Sequence, residues 1–239
     1  TLAAREVKEK IIRAASHLLE TAPEDLVVED GAVSVVGTDR ALTFRQLARA
    51  VYLEMGRMPA DQREELVSTK TYDPVFGTSA TAAHLAVVEI DPATYEVKLE
   101  RFVVAEDCGR LINPMIVDGQ VHGGVAQGIG AALYEEVVYN DEGQNVTASL
   151  VDYIIPTATE VPPIDVVHIE ADSVTTLNGF RGMGEGGTIG APAAVANAVA
   201  DALAPLGIDI LELPISPERL FRLIESSKNH KDPSHGHET

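Results

Sequence analysis

The chain has 239 residues, 45% hydrophobic and 23% charged, the balance of an ordinary globular protein with length for one large domain or two small ones. Its 37 acidic residues against 18 basic ones leave a net charge of −19 with His neutral, which argues against nucleic acid and anionic membrane surfaces as partners. One cysteine, Cys108, excludes an internal disulfide and any iron–sulfur cluster held by this chain alone, and no apolar run approaches the ~20 residues of a bilayer-spanning helix.

No signal peptide is visible, so a cytoplasmic location without membrane insertion is expected. The chain opens on Thr1 and enters a helical pattern at once, so a piece of something longer is also expected. Residues 2–21 carry Val7, Ile11, Ala15 and Leu18 on one stripe, an amphipathic helix ended by Pro23. Leu26–Val36 reads as a short hairpin turning at Asp30-Gly31. Thr43 with Gln46 forms a capping box for a helix through about Tyr52, and the polar residues 54–71 read as a surface loop. Ala82–Ile90 and Val97–Ala105 read as strands joined by Asp91-Pro92-Ala93-Thr94-Tyr95, an antiparallel pair.

Asn113-Pro114 starts a helical segment to about Glu136 that carries Gly119, Gly123, Gly124, Gly128 and Gly130. Each glycine costs a helix ~1 kcal/mol against Ala, which calls for a packing or ligand reason. Val137–Ala148 suggests another hairpin around Asp141-Glu142-Gly143, and Val166–Ala171 a strand. Ala193–Leu203 is an alanine-rich helix with Pro192 in its first turn. Ser216 caps a last helix through about Ile224. From Ser226 the chain is polar and expected to be disordered, and such a tail gives His230, His235 and His237 no fixed metal geometry. Strand pairs and helices without strict βαβ alternation point to an α+β fold, one domain over 1–225 and a tail over 226–239.

The segment Arg181-Gly182-Met183-Gly184-Glu185-Gly186-Gly187-Thr188-Ile189-Gly190-Ala191-Pro192 sets one carboxylate, Glu185, among five glycines just before a helix start. Glycine lets a backbone approach a ligand closely. An acid there has no evident helical or packing role and is a candidate general base. A plain glycine turn with an exposed acid fits too, as does a phosphate cradle, although Glu185 would repel phosphate.

Three blocks carry weight together. The first runs from Asp107-Cys108-Gly109-Arg110 through Asn113-Pro114 and Gly119-Gln120-Val121-His122-Gly123-Gly124 to Gly130. The second is Ala132-Leu133-Tyr134-Glu135-Glu136 with Asp152-Tyr153 and Pro156, and the third is the glutamate loop running into Asn197–Leu203. In this order and spacing they resemble the molybdenum hydroxylase family, the molybdopterin-binding large subunits of xanthine dehydrogenase, aldehyde oxidoreductase and carbon monoxide dehydrogenase type enzymes. The resemblance reaches from the first helix to about Ile224. It implies the C-terminal portion of the molybdenum-cofactor-binding domain.

The same resemblance implies an oxidoreductase mechanism. The family's cofactor is a molybdenum–molybdopterin cytosine dinucleotide, or the plain pterin in eukaryotic relatives, shared here with an N-terminal molybdopterin-binding segment or subunit. Glu185 matches the base that takes a proton from a Mo-bound hydroxide as its oxygen attacks a carbon of a small-molecule substrate. Hydride passes to a sulfido ligand, and electrons leave through a [2Fe-2S] small subunit and an FAD medium subunit. Gln120 matches a glutamine that approaches the pterin, though a helix-surface polar residue is the alternative. Gly123 and Gly124 then seat the helix against the cofactor, or serve close packing, and Gly184 and Gly186 shape the glutamate loop. No metal ligand is expected from the chain, because pterin sulfurs hold the metal; His122 packs or supports. Cys108 is expected to be buried rather than reactive.

Relatives use aldehydes, N-heterocycles and carbon monoxide, and the loop variant here looks closer to bacterial aldehyde or heterocycle hydroxylases. The sequence departs from the family at Arg181, where many relatives have Lys, at Met183, where Val is common, and at Tyr95, where glycine is usual. A non-catalytic structural or assembly domain of the same fold is the alternative function, and the acid retained at Glu185 counts against it.

Overall fold

The computed structural model describes residues 1–60, 63, 65–73 and 77–231. The chain divides into two compact units, Thr1–Asp73 and Pro74–Thr239.

In the first unit, α1 (Leu2–Leu19) buries Ala14, Ala15 and Leu19, with Ile11, Ile12 and Leu18 half-buried beside them. It stops at Glu20, whose left-handed backbone (φ 47°) closes the helix; Pro23 instead opens a 3-10 turn, Pro23–Asp25. β1 (Leu26–Glu29) and β2 (Ala32–Val35) form the expected hairpin. Asp30 and Gly31 both take positive φ (48° and 75°), as a type I′ turn requires. A third strand, β3 (Ala41–Thr43), pairs antiparallel with β2 and was not foreseen. α2 (Phe44–Tyr52) starts on the capping box: Thr43 N donates to Gln46 Oε1 at 2.8 Å, and Gln46 N to Thr43 Oγ1 at 3.3 Å. Met58, in the stretch read as a polar surface loop, is buried with Val33 and Leu47 in the core of this unit.

The second unit holds a three-stranded sheet ordered β4 (Thr81–Ile90), β5 (Val97–Asp107), β6 (Ile164–His168). β4 and β5 are antiparallel, and Tyr95 reaches φ 61° in their turn, the conformation that favours glycine. β6 runs parallel to β5 and ends at His168 rather than Ala171. A parallel neighbour requires a long crossover. That crossover contains α3 (Pro114–Leu133), whose first turn is capped by the Asn113 side chain.

No strands form over Val137–Ala148; one isolated bridge joins Tyr139 and Asn145. Val137, Val138, Tyr139 and Val146 are all exposed, so no core face stabilises a hairpin there. α4 (Gly186–Ile189) is followed by α5 (Ala191–Leu203) and α6 (Pro217–Lys231). α6 carries the chain through residues expected to start a disordered tail, so the boundary at 225 falls inside a helix. Residues 232–239, with His235 and His237, lie outside the described residues.

The core joins Phe102 and Val104 of β5 to Val121, Val125 and Ile129 of α3, Val195 and Val199 of α5, and Leu220 of α6. Mixed helices and sheets give the expected α+β class. Contrary to the sequence reading, Gly186–Leu206 is long and apolar enough, by length and composition, to cross a bilayer. It divides into two helices at Gly190, and Ala191, Val195, Val199 and Leu203 are buried in the core of the unit.

Candidate active site

α3 turns Val121, Val125 and Ile129 into the core. Its exposed side is left bare at Gly119 and Gly123, where a Cβ would meet nothing within 4 Å, and Gln120 stands exposed beside them. Gly124 differs. A Cβ there would lie 2.7 Å from the Gly187 carbonyl carbon, and one at Gly187 would lie 2.6 Å from Val121 O. These two glycines let α3 and α4 touch backbone to backbone, so close packing accounts for Gly124. Gly128 makes room for the Ala191 side chain and the Pro192 ring of α5. Gly186 faces the end of the Met183 side chain, whereas Gly184 is open.

The glutamate loop is fastened along its length. Arg181 N donates to Cys108 O at 2.9 Å. The Arg181 guanidinium donates to Ser79 O at 3.1 Å and stands 3.6 Å from Asp107. Gln120 Nε2 donates to Gly184 O at 3.3 Å, and His84 Nε2 lies 3.2 Å from Gly186 O. Burial pushes the His84 pKa down, so the neutral ring donates from Nε2 and leaves Nδ1 buried without a partner.

Glu185 sits between those two pinned carbonyls as the N-cap residue of α4. Its backbone carbonyl accepts from Thr188 N and Ile189 N. Its exposed carboxylate makes no hydrogen bond among the described residues. The fold thus brings Gln120, Gly184, Glu185 and Gly186 together, with Gly123 one turn along α3.

Beneath the loop lies a cluster that the sequence reading missed. Glu106 is 1% exposed, and its Oε1 lies 2.7 Å from His168 Nδ1. His168 Nε2 lies 2.8 Å from Asp118 Oδ1. Glu106 Oε2 is buried without a partner. Cys108 is buried as expected, its thiol pushed up to about 11 by burial and then by the charge of Glu106. The signal was the strand period: Phe102 and Val104 point inward, and one more step places Glu106 inward too. His122 is exposed, its Nδ1 2.8 Å from the Asp118 carbonyl one turn back.

Residues 1–162 match the molybdopterin cofactor-binding domain family, and the chain belongs to it. Among its relatives, the nicotine 6-hydroxylase large subunit of Paenarthrobacter nicotinovorans is 43% identical over 92% of this chain and 27% of its own length. The carbon monoxide dehydrogenase large chain of Hydrogenophaga pseudoflava is 33% identical over 94% of this chain and 28% of its own length. The crystal structure of quinoline 2-oxidoreductase from Pseudomonas putida 86 superposes with a TM-score of 0.82 at 46% identity, covering 93% of this chain and 28% of that one. The chain thus spans little more than a quarter of each relative. A flat, hydrogen-bonding cofactor fits the open surface, where Gly119, Gly123 and Gly184 leave bare backbone and Gln120 offers both donor and acceptor.

Proposed function

We propose that this chain is the C-terminal part of the large subunit of a molybdenum hydroxylase acting on an N-heterocycle, with Glu185 as its general base. The observation that carries the reading is the Glu185 carboxylate, exposed and uncommitted on a loop whose two neighbouring carbonyls are held by Gln120 and His84. A proton acceptor carried on a fixed backbone beside an open face suits general-base catalysis.

Molybdenum–molybdopterin cytosine dinucleotide, when bound, supplies an oxygen nucleophile and an acceptor for two electrons. The residues of this chain contribute cofactor contact and the proton acceptor. Gln120 hydrogen-bonds the pterin through whatever its amide leaves free beyond the bond to Gly184 O. Gly123 and Gly184 let the backbone come close. Glu185 takes the proton at a carboxylate oxygen, and Gln120 and His84 keep the loop from moving away.

The N-heterocyclic substrate is favoured by the nicotine and quinoline enzymes, at 43% and 46% identity, over the carbon monoxide enzyme at 33%. The remaining part of the large subunit encloses the site, and a [2Fe-2S] small subunit and an FAD medium subunit carry electrons away. Exposed Ile112, Met115, Ile116 and Ile189 are apolar surface for that remaining part to cover. Glu185→Gln in the assembled enzyme is expected to keep its molybdenum content and lose turnover about 10²- to 10⁴-fold. Near-normal turnover would sink the base role and leave the chain as an assembly domain of the same fold.

A further inference from the structure

We propose that His168 is a positioning residue: it clamps Asp118, in the first turns of α3, to Glu106 beneath the glutamate loop, and so sets the place of Gln120 and Glu185. The inference rests on the reading of Glu185 given above and adds the residues that hold it.

Glu106 and His168 are direct partners across the parallel β5–β6 pair, so their side chains emerge on the same face. One imidazole nitrogen lies 2.7 Å from Glu106 and the other 2.8 Å from Asp118. Both nitrogens face acceptors, and an imidazole donates from both only as the cation, with a hydrogen on each nitrogen. Burial opposes that proton, but the hydrogen bonds to Asp118 and Glu106 overcome it and raise the His168 pKa. The charged groups facing the ring are Glu106 from β5 and Asp118 from α3.

The start of α3 needs such a tie. Every buried residue of the helix lies at or beyond Val121, and Met115 and Ile116 are exposed. The turn that leads into Asp118 therefore buries no side chain in the core, and unpacked helix ends fray. Asp118 sits two residues before Gln120, which donates to the carbonyl immediately preceding Glu185. A second observation points the same way. The unpartnered Oε2 of Glu106 stands 3.8 Å from where a Cβ of Gly186 would be, directly under the residue that follows Glu185. Without His168, Glu106 would be a buried unpaired charge.

The test uses His168→Gln and Asp118→Ala in the assembled enzyme, with hydrogen–deuterium exchange and the pH profile of turnover. Asp118 is 48% exposed, so its truncation spares the core. Both variants are expected to raise exchange at Val117–Gln120 about tenfold or more, the worth of a lost charge-assisted hydrogen bond, while Val125–Leu133 stay protected. Wild-type turnover should fall as pH rises through the raised His168 pKa. That fall should move to lower pH in Asp118→Ala and vanish in His168→Gln. Unchanged exchange in Asp118→Ala, or the same alkaline fall in His168→Gln, overturns the clamp. Exchange reads the clamp whether or not Glu185 is the base, so the two proposals fail separately.

Discussion

The glycines of α3 differ in what surrounds them, which spacing alone does not reveal. A methyl at Gly124 would stand 2.7 Å from rigid backbone in α4, with no flexible side chain to yield. Gly124→Ala is expected to destabilise the chain by about 1–3 kcal/mol in denaturant unfolding. Gly123 faces open space, so Gly123→Ala is expected to raise helix stability by about 1 kcal/mol in the same measurement. If the bare face seats the cofactor, Gly123→Ala should also lower molybdenum occupancy of the assembled enzyme. The sequence showed that these residues were unusual for a helix, because composition is local. Which of them meets α4 depends on residues more than 60 positions away. Glu106 was similarly hidden, since an acid at the end of an alternating strand looks like the first residue of a loop.

Among the elements, those with strong local codes were readable: the capping box of α2, the Asp30-Gly31 turn, and the alternation of β4 and β5. Misses came where tertiary context decides. β3 is only three residues long and exists by pairing with β2, while the segment around Asp141 has turn chemistry but no core to pack on. The N-terminus of α3 ties element to site. Asn113→Ala removes its cap and is expected to cost about 1 kcal/mol in urea unfolding, with faster exchange in the first turn. The β6–α3 clamp gives a pH-dependent share of stability. Because the folded pKa of His168 is raised, its contribution is complete below the unfolded value near 6.5 and lost as pH rises through the folded one. The stability gap between wild type and Asp118→Ala should therefore be widest near pH 6 and narrow in alkaline buffer.

At the scale of the whole molecule, the family was legible from three motif blocks, yet the division at Asp73 was not. The polar stretch before it, read as a surface loop, gave no cue that Met58 anchors a separate core. The proposed site joins chain positions that are far apart. Gln120 meets Gly184 across 64 residues, His168 meets Glu106 across 62, and His84 meets Gly186 across 102. Closures of that span are entropically slow and come after local structure has formed. A nascent polypeptide that has emerged only as far as residue 180 lacks both the glutamate loop and the core residues of α5 and α6, so Gln120 has nothing to grip. Competence to receive a prosthetic group would then arrive in a single late event, when the glutamate loop docks.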